Sequence, residues 1–233
     1  MSSIIQIKGL SKSYGSQLVL DDLSVEYEPG QFIGLLGPNG CGKTTLIKIL
    51  TGLINDYTGE VLIDGHKPDF HTKSLIAYLP EKSYLADWMR PVDTIKYMAD
   101  FYKDFDSDKA IKMLDTFKLP AKQKIKSMSK GMQEKLRLLL VVCRNAELYV
   151  LDEPIGGVDP AARAFILDVI LKNLPKDSTV LMSTHLIHDV EGIFDRVLMI
   201  GNGKVLRNEK VQGGLMGQQT IEDVFKEVFS YAW

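Results

Sequence analysis

The chain has 233 residues, 45% of them hydrophobic and 25% charged, which suits one globular domain with a subdomain attached. Lys and Arg total 28 against 30 Asp and Glu, so there is no strong field for nucleic acid or an anionic membrane. Two cysteines, Cys41 and Cys143, are too few for a disulfide framework or a zinc site. No apolar run reaches the ~20 residues needed to cross a bilayer.

In chain order, residues 4–10 (IIQIKGL) alternate like a strand, and Val25 with Tyr27 belongs to a second strand before the Pro29-Gly30 turn. Residues 31–37 (QFIGLLG) form a continuous apolar run ending in glycine, as a buried parallel strand does. Helical spacing follows in TTLIKILTGL, and EVLIDG reads as another strand closing on a turn. Residues 87–124 read as helices rich in aromatic and charged side chains, with Tyr97, Phe101, Tyr102 and Phe105 close together. A helix over about 131–144 leads to two buried strands, LYVLD and TVLMST, separated by a helix over 161–174. The strand RVLMI, the hairpin-like GNGKVL and a glycine-rich linker, GGLMGQQ, come next. A last amphipathic helix carries Ile221, Val224, Phe225, Val228 and Phe229 on one face. Strands alternating with helices predict an α/β fold on a mainly parallel sheet, with a helical insertion in the middle.

The chemistry starts at GPNGCGKTT, Gly37, Pro38, Asn39, Gly40, Cys41, Gly42, Lys43, Thr44 and Thr45, which fits G-x-x-x-x-G-K-[ST] without mismatch between a strand and a helix. Glycines let backbone N–H groups wrap a phosphate with no Cβ in the way, and the helix N-terminus adds partial positive charge. Lys43 is placed to reach the β- and γ-phosphates, and the Thr44 hydroxyl to ligate Mg²⁺. Cys41 lies among these amides, where a helix terminus is expected to lower its thiol pKa.

In LYVLDEP a buried strand delivers two acids to its C-terminal edge, where α/β sheets bind ligands. Asp152 suits the Mg²⁺ shell, and Glu153 suits the residue that orients, and can deprotonate, the attacking water. The pair points to ATP hydrolysis and not to binding alone. His185 closes TVLMSTH at the same edge of the sheet, where an imidazole can hydrogen-bond the γ-phosphate. His66, His71 and His188 read as ordinary surface or core histidines.

Together these segments resemble the ATP-binding-cassette (ABC) ATPases, the nucleotide-binding subunits of ABC transporters, over essentially the whole chain. The resemblance implies a P-loop fold with an N-terminal antiparallel β-subdomain and a helical subdomain. The chain then forms a single domain over residues 1–233, with the helical subdomain at about 82–145 and a tail at about 212–233. MSKGMQ resembles that family's signature motif, usually LSGGQ, through Ser129, Lys130, Gly131 and Met132, which would meet ATP held by another subunit. Gly156-Gly157-Val158-Asp159 resembles its D-loop, His185 its switch histidine, and Tyr14 the aromatic that stacks on adenine; a plain strand aromatic is the competing reading of Tyr14.

Two departures stand out. Lys130 and Met132 replace a glycine and the glutamine of the signature, while Ser129, the Gly131 N–H and the helix terminus are kept. In YLPEKSYL, Glu81 stands where the family usually has glutamine, and a carboxylate can only accept hydrogen bonds. Glu81 reads as a metal-side ligand with its adjoining loop coupled to a membrane partner, or as a surface glutamate. The SKGM signature and YLPE resemble subunits serving ABC-2-type exporters.

What the resemblance implies is an ATPase using ATP and Mg²⁺ that dimerises with a second ABC subunit and drives a separate integral membrane permease. That places it in the cytoplasm, peripheral to the cell membrane, with no nucleic-acid partner. The aromatic cluster around Trp88, Tyr97 and Tyr102 reads as the permease groove or as subdomain core. The alternative function is a soluble ABC-type ATPase acting in DNA maintenance or translation.

Overall fold

The computed structural model describes residues 3–230. The outermost ends of the expected domain and of its tail, residues 1–2 and 231–233, lie outside the described residues.

Two long strands, β1 (Ile5–Tyr14) and β2 (Gln17–Tyr27), pair antiparallel around the turn at Gly15, and β4 (Thr58–Ile63) joins the other edge of β1. The second sheet has six strands. Its parallel part is β5 (Ile76–Leu79), β6 (Leu148–Asp152), β7 (Thr179–Ser183), β3 (Phe32–Leu36) and β8 (Arg196–Gly201), in that order, with β9 (Lys204–Lys210) antiparallel on the edge. The turn between β8 and β9 carries Asn202 and Gly203 at positive φ, the conformation a tight hairpin requires.

Side-chain alternation splits the core in two. Leu148 and Val150 of β6 join a cluster beneath the antiparallel sheet and helix α1 (Lys43–Leu50). Tyr149 and Leu151 of the same strand point to the opposite face, into the larger cluster under the other helices. Every residue of β6 and β7 is buried, which accounts for their unbroken apolar runs.

Between β4 and β6 lie α2 (Phe70–Leu75), α3 (Pro91–Phe101), α4 (Ser107–Thr116) and α5 (Lys130–Val142). Helix α6 (Pro160–Asn173) separates β6 from β7, and α7 (Ile221–Phe229) lies near the C-terminal end. Asp106, Ser129, Asp159 and Thr220 cap α4, α5, α6 and α7 through side-chain oxygens, each cap contributing about 1 kcal/mol. The sequence reading did not predict α2 or β5, and it read 213–219 as a plain linker. Those residues contain all but the last strand residue of a small hairpin, β10 (Leu215–Met216) with β11 (Gln219–Thr220).

A buried arginine fastens the helices to the sheet. Arg144 Nε donates to both Asp104 carboxylate oxygens at 2.8 and 2.7 Å, Nη2 to Ser74 O at 2.7 Å, and Nη1 to Ile76 O at 3.3 Å. Its guanidinium also stacks 3.6 Å from the centre of the Tyr102 ring. One side chain, two residues past α5, therefore joins the stretch after α3, the end of α2 and the start of β5.

Candidate functional site

The loop from β3 to α1 makes the anion site. Helix α1 has Gly42 at its N-cap and no side-chain cap, so its leading amides are not spent on a protein oxygen. Gly42 has φ +109°, and a Cβ there would lie 2.6 Å from Leu20 Cδ2 and 3.0 Å from Val19 O, so only glycine fits. Lys43 is 6% exposed and its Nζ donates to Gly37 O at 2.7 Å and Pro38 O at 3.1 Å. The ammonium is thus already folded over the loop it serves.

Strand β6 carries Asp152 to the sheet edge in register with Ser183 at the end of β7. Ser183 Oγ donates to Asp152 Oδ1 at 2.7 Å, whereas Oδ2 is buried without a partner. Burial pushes the Asp152 carboxyl above its ordinary pKa, against the Ser183 hydrogen bond and the nearby Thr44 hydroxyl; the Glu81 charge adds to the rise and Lys43 opposes it. Glu153 adopts φ +51°, a left-handed conformation uncommon for a non-glycine residue, and its N–H donates to Ser183 Oγ at 3.0 Å. This turn aims Glu153 Oε2 at His185 Nδ1, 2.8 Å away. His185 lies two residues beyond the end of β7, a little further out than the sequence reading placed it.

A cleft of about 810 Å³ gathers these groups: Asn39, Gly40 and Gly42 to Thr45 from the P-loop, then Asp152, Glu153 and His185, with Glu81 and Lys130 on its walls. Ser129 caps α5 by accepting from the Met132 N–H at 3.3 Å. Lys130 faces the cleft of its own chain, and a Cβ added at Gly131 would meet nothing within 4 Å, so the turn presents open backbone. Met132 packs against the hydrophobic core, so its side chain serves packing where a glutamine would be polar. Gln133 Nε2 donates to Ile125 O and Met128 O at 3.1 and 3.3 Å, holding the turn before the cap.

Asp159 accepts from the Ala162 N–H at 3.0 Å as the cap of α6, and does not line the cleft. Tyr14 does not line it either; its ring is 48% exposed at the end of β1, with Lys12 Nζ 4.7 Å from the ring centre. His66 and His71 meet edge to face at 4.8 Å, away from the cleft. Of the aromatics around α3, Phe105 is core, while Trp88, Tyr97 and Phe101 are exposed.

One expectation is corrected. The Cys41 thiol is buried, and desolvation raises its pKa although Lys43 and backbone hydrogen bonds pull the other way. The helix terminus does not outweigh the loss of water. The sequence reading also missed Ser183 and Arg137. Ser183 had a signal, a polar residue closing an apolar strand beside LYVLD. Arg137 had none, since its contacts lie more than fifty residues away in the chain.

Comparison with known proteins agrees with this geometry. The family model described as ABC transporter matches residues 20–156, more than half of the chain. An ABC transporter ATP-binding protein of Methanocaldococcus jannaschii is 33% identical over 218 residues, covering 91% of this chain and 79% of that protein. One from Bacillus subtilis is 34% identical over 235 residues, covering 97% and 74%. A peptide export ATP-binding protein of Bacillus subtilis is 29% identical, covering 88% of each chain. A solved ATP-binding subunit of an ABC transporter superposes with a TM-score of 0.86 at 27% identity, covering 97% of this chain and 99% of that one. The sheet order, the P-loop, the acidic end of β6 and these likenesses agree, and the chain belongs to the ABC transporter family as an ATP-binding protein and ATPase.

Proposed function

We propose that this chain is the nucleotide-binding subunit of an ABC transporter, in which two cassettes close on ATP and hydrolysis drives a separate membrane permease. The observation that carries the hydrolytic part is the 2.8 Å contact between Glu153 and His185 inside the P-loop cleft. A protein that only held nucleotide would have no use for a carboxylate aimed by a left-handed turn at an imidazole.

In this reading the amides of Gly40 to Thr44 and the Lys43 ammonium hold the β- and γ-phosphates, and Tyr14 offers a ring to adenine. Glu153 accepts the proton of the attacking water, and His185 donates to the γ-phosphate while Glu153 orients its ring. Ser129, Lys130 and Gly131 of one subunit close over the phosphate held by the other, with Asp159 at the D-loop between them. Such closure joins two half-sites that neither subunit completes alone.

Mg²⁺ fits the residues present. The unpartnered Asp152 Oδ2 is a buried oxygen left without a donor, and the Thr44 hydroxyl and Glu81 carboxylate complete a hard, all-oxygen set. Among the described residues no group of three or more His, Cys, Asp or Glu is arranged to hold a metal; phosphate oxygens and water would supply the remaining ligands. When bound, the ion neutralises charge on those oxygens.

A second groove, about 500 Å³, lies where β5 meets α3 and α5, lined by Tyr78, Lys82, Tyr84, Met98, Tyr102 and Arg144 among others. This groove, bordering the helical subdomain at about 82–145, is the proposed permease seat. No helix among the described residues is long and apolar enough to cross a membrane. A separate permease and a peripheral position on the cytoplasmic side are proposed from the likeness to ABC transporter ATP-binding proteins. The peptide-export relative favours the exporter class. The test is ATPase activity with and without a co-expressed permease, on wild type and Glu153→Gln. Mg²⁺-dependent turnover stimulated by the permease and lost in the variant is expected; turnover indifferent to both would overturn the proposal.

A further inference from the structure

Arg137 is a buried cation without a carboxylate of its own. It lies about two turns along α5 from Ser129 and is only 8% exposed. Among the described residues no Asp or Glu comes within ion-pair distance of it. Its Nη2 donates to the main-chain oxygen of Pro80 and, at 3.2 Å, to that of Glu81, while its Nε has no partner. An apolar side chain would fill this space with no desolvation penalty, so packing alone does not account for an arginine here.

What it holds is informative. Pro80 and Glu81 follow directly on β5, whose Leu79 lies opposite Leu151 of β6, so the next residues on the two strands are Pro80 and Asp152. Arg137, Glu81 and Asp152 all line the phosphate cleft. The guanidinium therefore links the signature helix to the segment that carries Glu81 past the acidic end of β6.

We infer that Arg137 is a positioning residue that suspends the Pro80–Glu81 segment from α5, so that the Glu81 carboxylate faces Asp152 only while the signature helix is seated. The inference rests on the proposed metal-side role of Glu81. It goes further in making Mg²⁺ affinity depend on a helix that does not touch the metal, with any shift of the Ser129 end of α5 passed to Glu81 through two hydrogen bonds.

The test uses the full chain and a fluorescent ATP analogue, with affinity measured in EDTA and again in Mg²⁺; the ratio is the gain from the metal. Arg137→Met keeps the aliphatic stem and removes the charge and donors. Its gain should fall about 10-fold, as when a group that orients a metal ligand is lost, with affinity in EDTA unchanged. Arg137→Lys, which still offers an N–H to a carbonyl, should recover part of the gain and also serves if Arg137→Met does not fold. The double variant Arg137→Met/Glu81→Ala should be no worse than Glu81→Ala alone, because both act through one side-chain ligand. An unchanged gain in folded Arg137→Met, an Arg137→Lys gain no better than that of Arg137→Met, or losses that multiply in the double variant overturns the inference and leaves the role of Glu81 standing; if Arg137→Met does not fold, a wholly unchanged gain in Arg137→Lys does the same. An unchanged gain in Glu81→Ala removes that role, and the inference with it.

Discussion

The Glu153 carboxylate and the His185 imidazole meet at 2.8 Å across the ends of two adjacent parallel strands, β6 and β7. Neither strand brings them together unaided. Glu153 reaches the ring because its backbone turns left-handed just after Asp152, and Ser183 fixes that turn by accepting the Glu153 N–H. The Ser183 hydroxyl at the same time donates to Asp152. One hydroxyl thus sets the spacing of the metal-side and water-side carboxylates.

Glu153→Gln keeps the size of the side chain and its reach to His185 but removes the base. Turnover should fall by about 10²–10⁴-fold, the usual contribution of a positioned general base, with ATP affinity preserved. The variant should therefore accumulate an ATP-bound dimer in sedimentation analysis. A Glu153→Gln chain that stays monomeric with ATP would count against the two-subunit site.

Asp152 is held at a cost to the fold. Its folded-state pKa is raised by burial, so the native state binds its proton more tightly than the unfolded chain does. The penalty is absent below the unfolded carboxyl pKa of about 3.9, grows as pH rises toward the folded value, and is complete only above it. Asp152→Asn, whose amide oxygen still accepts from Ser183, should raise the melting temperature of the nucleotide-free protein at pH 7. The difference should shrink on acidification, and Mg²⁺-dependent turnover should fall at every pH. A variant less stable than wild type at pH 7 would show that the carboxylate stabilises its surroundings.

The parts of the site that were legible in the sequence are those set by local pattern. GPNGCGKTT follows directly on its strand and LYVLDEP contains its own, and the strand fixes which edge the polar residues reach. The Ser129 cap was readable for the same reason. Strand β5 was not, because its four residues follow α2 directly and make too short a run to alternate visibly. Arg137 was hidden because what makes it more than a helix arginine is a pair of carbonyls on another element. The reversed direction for Cys41 has a related cause: sequence places the thiol beside a helix terminus, but only the fold says that the water is gone.

The raised Cys41 pKa makes a kinetic statement. Alkylation by iodoacetamide should be slow at pH 7 and quicken with pH beyond the range of an ordinary exposed thiol. A Cβ at Gly37 would come 2.6 Å from Cys41 Sγ, so the thiol sits tightly inside the phosphate loop. Bound ATP should slow labelling further, with Cys143 buried in the core as an internal control. Equal labelling of Cys41 with and without Mg-ATP, followed by peptide mass spectrometry, would place the nucleotide elsewhere.

Ser129→Arg separates the two uses of the signature turn. As a cap, Ser129 accepts one amide of α5, so its loss should cost about 1 kcal/mol and lower the melting temperature slightly. As a phosphate contact made across a dimer interface, the serine has no part in how a single chain binds nucleotide through its own P-loop. An arginine there would also place a long cation where the partner's phosphate must enter. ATP affinity of the monomer should therefore stay within about twofold of wild type, a change worth less than half a kcal/mol, while hydrolysis is abolished. Mixing Ser129→Arg with Glu153→Gln chains sharpens the point. A mixed dimer contains one site with both lesions and one with neither, so part of the turnover lost in each variant should return. No recovery on mixing, or loss of monomer ATP binding, would reduce the MSKGMQ turn to a helix cap.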